Sequence, residues 1–226
     1  MNLRQKLINS ALYDWFGKRS FAQAGEDMVA WSVLGKRQGF YVDIGAYHPK
    51  QFSNTYFFYK KGWRGIVVEP NPDLVRLYKD IRRRDVALGV GVGLSDEVKM
   101  YFMFADPAAN TFDEETAERN KEVGRKLIGK KPVAILKLSK ILRDYLPVGQ
   151  KVDLLSVDTE GMDEEVLASN DWKKYRPRVV ICEDLEFDWT RPERSKVAKM
   201  MKELDYRLVG MTPYSLIFQD EKQEEK

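Results

Sequence analysis

The segment from Phe40 to Pro49 reads Phe-Tyr-Val-Asp-Ile-Gly-Ala-Tyr-His-Pro. A short apolar run that leads into an acidic residue and a glycine is typical of a buried strand followed by a tight turn. Similar apolar runs further along the chain end in Glu69, in Asp158 and in Glu183-Asp184. Segments with helical periodicity separate these runs, so the sequence predicts alternating strands and helices.

This alternation favours a parallel sheet, because parallel neighbours are joined by crossover connections that are usually helical. We expect a doubly wound α/β fold whose third strand runs from Val86 to Leu94. Two strands around Thr212-Pro213 would form a closing hairpin, with one antiparallel strand at the edge of the sheet. Sheets of this kind bind ligands outside the carboxyl ends of their strands, so the acidic strand ends are candidate site residues.

The chain is expected to hold one domain over residues 21–220. An amphipathic helix over residues 1–20 precedes it, and a charged tail over residues 221–226 follows it. Residues 105–132 interrupt the alternation, and a structureless loop of this length is uncommon in a compact domain. We therefore predict an inserted lid over the acceptor, with a charged helix from Glu114 to Leu127.

Composition excludes several classes of protein. The 226 residues include 38 Lys and Arg against 35 Asp and Glu, a net charge of +3 without a concentrated basic region, so no nucleic acid partner is expected. The longest uncharged stretch, Leu208 to Gln219, is too short to cross a bilayer.

The N-terminus does not resemble a signal peptide, and Cys182 is the single cysteine, so we expect a cytoplasmic protein with a buried thiol. Residues 1–19 could still contact a membrane surface. The run Arg82-Arg83-Arg84 is predicted to lie in solvent at the end of a helix.

The turn after the first strand limits the choice of cofactor. A dinucleotide site would need the pattern G-x-G-x-x-G, but Tyr47 occupies the position of the second glycine after Gly45. Glu69 ends the second strand, where a carboxylate can accept hydrogen bonds from both hydroxyls of a ribose. S-adenosylmethionine fits this arrangement, because it contains a ribose and an amino acid but no phosphate.

The sequence resembles FkbM-type S-adenosylmethionine-dependent methyltransferases in three segments, which are Tyr41–Pro49, Gly62–Pro72 and Asp153–Leu167. Asn110-Thr111-Phe112 and the strand from Pro177 to Glu183 are also similar to that family. The resemblance implies a seven-stranded class I methyltransferase fold. It also implies O-methylation of a sugar, a glycan or a glycosylated metabolite, as in polysaccharide biosynthesis.

The resemblance also implies roles for individual residues. Glu69 would bind the ribose, Gly91 to Ser95 would line the adenine, and Asp158 would lie near the transferred methyl group. Ser53-Asn54-Thr55, at the start of a helix, would hold the methionine carboxylate. The full set of predicted cofactor residues is Asp43, Gly45, Tyr47, Ser53, Asn54, Glu69 and Asp158.

An acceptor hydroxyl must lose its proton as it attacks the methyl group, so a base helps even where positioning dominates. The candidates are His48, Asp158 and Glu160. His48 has a suitable ordinary pKa but could instead hold a loop, and Glu160 could instead cap the following helix. In an alternative mechanism, Asp158, Glu183 and Asp184 bind magnesium, which activates the hydroxyl; these carboxylates could equally contact a sugar directly.

Two other functions remain open at this stage. A methyltransferase acting on nucleic acid or protein is disfavoured, because no Asn/Asp-Pro-Pro-Tyr motif follows the fourth strand of the alternation. A non-catalytic binding module is disfavoured because the strand-end residues are retained. Trp189 is a candidate platform for a sugar ring, and the oligomeric state is not predicted.

Overall fold

The computed structural model describes residues 3–10, 20–35, 38–159 and 161–223. Within them the helices are α1 (Leu3–Ile8), α2 (Glu26–Leu34), α3 (Tyr56–Lys60), α4 (Pro72–Ile81), α5 (Glu114–Glu122), α6 (Leu138–Tyr145), α7 (Asp163–Ala168) and α8 (Lys196–Glu203). The strands are β1 (Phe40–Ile44), β2 (Arg64–Val68), β3 (Val86–Leu88), β4 (Gly91–Val92), β5 (Glu97–Phe104), β6 (Leu127–Leu136), β7 (Leu154–Val157), β8 (Val179–Glu183), β9 (Tyr206–Met211) and β10 (Ser215–Asp220). None of the described helices is long and apolar enough to cross a membrane. Residues 1–2 and 11–19 of the predicted N-terminal helix lie outside the described residues.

Seven strands form one sheet in the order β3-β2-β1-β7-β8-β10-β9. The first five are parallel to one another, β10 is antiparallel to β8, and β9 is antiparallel to β10. The doubly wound α/β fold with a C-terminal hairpin is therefore confirmed. The prediction that the antiparallel strand forms the edge of the sheet is wrong, because β10 lies between β8 and β9. The connection through α8 leads to β9 at the edge, and the chain then returns as β10 between β9 and β8.

A second sheet contains three strands in the order β4-β6-β5. The predicted single strand from Val86 to Leu94 is wrong, because its two halves belong to different sheets. The Leu88 carbonyl accepts a hydrogen bond from Glu69 N at 3.0 Å in the main sheet, whereas Gly93 N donates to the Leu136 carbonyl at 3.2 Å in the second sheet. The chain therefore leaves the main sheet between β3 and β4.

The insertion at residues 105–132 contains less helix than expected. Helix α5 ends at Glu122, because Gly124 has a φ of 83°, in the left-handed region that terminates α-helices. Leu127, predicted as the last helical residue, is already the first residue of β6. Ala117 packs α5 against the aromatic side chains of β5. The insertion is thus a helix on a small sheet.

The core lies on both faces of the main sheet. All five residues of β1 are buried, as expected for a central parallel strand. Val42 and Ile44 belong to one apolar cluster and Tyr41 to the other, because side chains alternate between the two faces. Cys182 is fully buried in the first cluster, which confirms the prediction that its thiol packs in the core.

The turn after β1 passes directly against the end of β7. Gly45 has a φ of 73°, and a Cβ atom at this position would overlap with the backbone oxygen of Asp158. Asp158 N donates to the Ile44 carbonyl at 3.0 Å, which keeps the two segments together. Glycine is therefore required at position 45 by the fold itself.

Replacing Gly45 with alanine should lower the free energy of unfolding by about 2–5 kcal/mol. The loss is expected because alanine is strained at a left-handed φ and because its Cβ would overlap with the backbone oxygen of Asp158. Gly149→Ala is the matched control, because Gly149 has a φ of 76° and nothing within 4 Å of the added carbon. The control should lose only about 1–2 kcal/mol. Urea unfolding measures both, and equal losses would contradict the close approach.

Candidate active site

A cavity of 470 Å³ opens at the carboxyl ends of β1, β2 and β7, within the size range of small-molecule sites. The main sheet contributes Gly45, Glu69 and Asp158 to one part of the wall. The insertion and the second sheet contribute another part of the wall, which includes Tyr101, Asn110, Phe112, Asp113 and Arg119. The structure therefore brings together three strand-end residues that the sequence predicts for the cofactor.

Glu69 is a buried carboxylate in the wall of this cavity. Its Oε2 accepts a hydrogen bond from Tyr47 N at 3.0 Å, and its Oε1 accepts one from Asn71 N at 2.7 Å. Burial raises the pKa of Glu69 to about 7, although both N–H donors act in the opposite direction. A carboxylate has about four acceptor positions, so about two remain for the hydroxyls of a ligand.

Asp158 and Thr159 follow β7 and line the cavity. Asp163, at the start of α7, braces their loop by accepting hydrogen bonds from Thr159 N at 3.1 Å and from Gly161 N at 3.2 Å. The sequence analysis does not predict this role. The signal for it is the position of Asp163, an acidic residue at the start of a helix that directly follows the loop after β7. Glu160, the other acidic candidate for the base, lies outside the described residues.

Several predicted cofactor residues are not among the described residues of the cavity wall. Thr55 Oγ1 donates to Asp43 Oδ2, and Asn54 Nδ2 donates to Ser156 Oγ at 3.1 Å. Ser53 Oγ accepts a backbone N–H at the start of α3 at 3.1 Å. Asp43, Ser53 and Asn54 thus make contacts within the protein, and none of the three is among the cavity-lining residues of the described chain. Their role in cofactor binding remains a prediction.

The guanidinium of Arg82 organises this support. Its Nε donates to Asp85 Oδ2 at 2.7 Å, its Nη2 donates to Thr55 Oγ1 at 2.9 Å, and its Nη1 donates to Ser53 Oγ at 3.2 Å. Arg82 is fully buried, so the prediction of a solvated arginine run is wrong for this residue, whereas Arg83 is exposed. A buried charge is tolerated only when it is paired and hydrogen-bonded, and Asp85 supplies the pairing.

His48 belongs to the loop that follows the turn, and its buried side chain is not among the described residues of the cavity wall. Its Nδ1 accepts hydrogen bonds from Lys50 N at 3.2 Å and Gln51 N at 3.0 Å. The ring proton must then reside on Nε2, which lies 3.1 Å from Oδ1 of Asn9. Burial lowers the pKa of His48 to about 4, so the ring is neutral at pH 7. This geometry favours the role of loop support over that of a base.

The predicted metal ligands have different surroundings. Asp184 Oδ2 accepts a hydrogen bond from Ser195 Oγ at 2.6 Å, and Ser195 caps helix α8. Across the described ranges, no group of three or more His, Cys, Asp or Glu side chains is placed to hold a metal ion. A magnesium site formed by Asp158, Glu183 and Asp184 remains a prediction. Trp189, the predicted sugar platform, is exposed and is not part of the described cavity wall.

Residues 43–208 match the family described as the methyltransferase FkbM domain, and the chain therefore belongs to the FkbM methyltransferase family. Among solved structures, it is similar to methyltransferase FkbM from Methylobacillus flagellatus KT, with 14% identity and a TM-score of 0.46 over 84% of this chain and 47% of the other. It thus spans about half the length of that protein. Precorrin-6y C5,15-methyltransferase from Geobacter metallireducens GS-15 shows 13% identity and a TM-score of 0.45 over 91% of this chain and 95% of the other. Both are too distant to transfer a function, and no curated protein sequence matches.

The loop-support role of His48 predicts different effects for two substitutions. His48→Ala should cost about 1–3 kcal/mol of unfolding free energy, because it leaves two N–H groups without their acceptor. His48→Asn should recover at least half of that loss, because an asparagine carbonyl can accept an N–H group two residues further on. Urea unfolding at neutral pH compares them, and equal stability of the two variants would contradict the role.

The same pair gives a pH readout. The folded pKa of His48 lies below its ordinary value of 6.5, so its contribution to stability is lost as the pH falls from about 6.5 to 4. Between about pH 7 and pH 5, the wild type should therefore lose about 2 kcal/mol more than His48→Asn. Identical pH slopes would show that His48 titrates normally.

Proposed function

We propose that this protein is an S-adenosylmethionine-dependent O-methyltransferase that modifies a hydroxyl of a sugar, a glycan or a glycosylated metabolite, as in polysaccharide biosynthesis. The observation that carries the proposal is the buried Glu69 carboxylate, in the cavity wall of an FkbM family member. The ribose of the cofactor offers two adjacent hydroxyl donors. These donors match the acceptor positions that Glu69 retains beside its two backbone hydrogen bonds.

The turn after β1 supports a cofactor without phosphates. A phosphate cradle needs several backbone N–H groups that point at the ligand. Here Gly45 N and Ala46 N both donate to the Val68 carbonyl, at 3.0 and 3.1 Å. The next N–H group, that of Tyr47, donates to Glu69. These donors are already used inside the protein, which disfavours a dinucleotide and is compatible with S-adenosylmethionine.

When bound, S-adenosylmethionine supplies a methyl group on a positively charged sulfur. Asp158 lies beside Gly45 in the cavity wall, where its carboxylate would favour a cationic group and could accept the proton of the acceptor hydroxyl. Glu160 is the second candidate for that proton. Most of the rate gain would come from holding the two reactants in line, which is the task of a cavity lined by both the main sheet and the insertion.

The wall contributed by the insertion suits a polyhydroxylated acceptor. Asn110 and Tyr101 place a side-chain amide and a hydroxyl next to each other in this wall. These two groups could hydrogen-bond to the hydroxyls of a sugar. Asp113 and Thr116 add further polar groups to this wall. Contact of residues 1–19 with a membrane would matter if the acceptor were lipid-linked.

Calorimetry with S-adenosylmethionine tests the role of Glu69. The ionised carboxylate is the better double acceptor, and its pKa is about 7. Wild-type affinity should therefore rise about tenfold per pH unit below pH 7 and level off above it. Glu69→Gln should bind about tenfold or more weakly at about pH 8 and should lose this pH dependence.

Glu203→Gln serves as the control, because Glu203 is an exposed glutamate at the end of α8, outside the described cavity wall. This variant should match the wild type at every pH. Failure of the wild type to bind S-adenosylmethionine would overturn the proposal. Equal affinities of Glu69→Gln and Glu203→Gln would remove Glu69 from the site.

A further inference from the structure

The loop from Tyr47 to Phe52 carries two aromatic residues in an unusual backbone conformation. Tyr47 has a φ of 47° and Phe52 a φ of 54°, in the left-handed region that residues with side chains rarely adopt. Asp205 is the only other non-glycine residue of the described ranges with a positive φ. Such a conformation persists only when the surrounding structure imposes it, and it is concentrated at functional sites.

The surrounding structure does impose it. His48 accepts two N–H groups of the loop through Nδ1. Arg82 Nη1 lies 3.4 Å from the Pro49 carbonyl oxygen, and Ser53 N donates to the Phe21 carbonyl at 3.0 Å. The loop is therefore fixed by the protein alone, before any ligand binds.

This conformation directs two aromatic rings to the cavity. The rings of Tyr47 and Phe52 are stacked, with centroids 6.5 Å apart and an interplanar angle of 24°. Both residues line the cavity, as do Glu69 and Asp158. Phe52 is nevertheless 51% exposed, so its ring contributes little to the core. The fold thus holds a large apolar ring, in a strained position, at the boundary between the cavity and solvent.

We propose that Phe52, backed by Tyr47, is the platform on which the sugar ring of the acceptor stacks; the inference rests on the proposed function and specifies its acceptor as a pyranose. One face of a pyranose presents C–H groups of slight positive charge, which complement the negative face of an aromatic ring. The polar groups of Gln23, Asp158 and Thr159 line the same cavity and would contact the hydroxyls at the edge of the sugar.

The test compares Phe52→Leu, which removes the ring, with Phe52→Tyr, which retains it. Tyr145→Leu is the matched control, because Tyr145 is a 43% exposed aromatic residue on α6 that is not among the described cavity residues. The probes are the methyl α-pyranosides of glucose, galactose, mannose and rhamnose, with uridine as a nucleobase probe. Binding is measured by saturation-transfer NMR in the presence of S-adenosylhomocysteine, whose own affinity is measured by calorimetry.

At least one pyranoside should bind the wild type, Phe52→Tyr and Tyr145→Leu with affinities within about twofold. Its binding to Phe52→Leu should be about five- to tenfold weaker, the loss expected from one aromatic stacking contact. S-adenosylhomocysteine should bind all four proteins equally, which shows that Phe52→Leu is folded.

Three results would overturn the platform. They are binding of no pyranoside, unchanged binding to Phe52→Leu, and displacement of the pyranoside by uridine at equal concentration. If S-adenosylhomocysteine binds in these cases, only the platform fails and the proposed function stands. If S-adenosylhomocysteine does not bind the wild type, both fail.

Discussion

A buried guanidinium that has to be paired is the constraint on which the strand-end site depends. Arg82 is fully buried, and removing its partner Asp85 would leave a charge in the core at a cost of about 3–5 kcal/mol. The remaining donors of Arg82 must also be satisfied, and they bind the hydroxyls of Ser53 and Thr55. Thr55 in turn donates to Asp43 in β1. The turn that faces the cavity is therefore held by a charge network that lies behind it.

Burial at the site has a cost that depends on pH. The pKa of Glu69 is raised to about 7. Its contribution to the free energy of unfolding is therefore fully present below pH 4.5 and is lost as the pH rises towards 7. His48 has the opposite effect, because its pKa is lowered to about 4. The two effects largely offset each other between about pH 4 and pH 7. A ligand with hydroxyl donors would add hydrogen bonds to the ionised carboxylate and offset part of this cost.

Local patterns in the sequence predicted the sheet and part of the site. Apolar runs that end in a glycine or an acid placed Gly45, Glu69 and Asp158 at one edge, where the structure has them. The same patterns could not separate Arg82 from its exposed neighbours, because the burial of Arg82 depends on its pairing in three dimensions. The second sheet was missed for a similar reason: β4 pairs with β6, and about 40 residues separate the two strands.

The proposed reaction is the transfer of a methyl group from S-adenosylmethionine to a sugar hydroxyl at the strand-end cavity. The most direct measurement incubates the protein with methyl-labelled S-adenosylmethionine and extracts that contain sugars, glycolipids, protein and nucleic acid. The proposed function predicts label in a methyl ether on a sugar ring, and about tenfold less label when Glu69→Gln replaces the wild type at a cofactor concentration well below the wild-type dissociation constant. Label in protein or nucleic acid, or no label in any fraction, would contradict it.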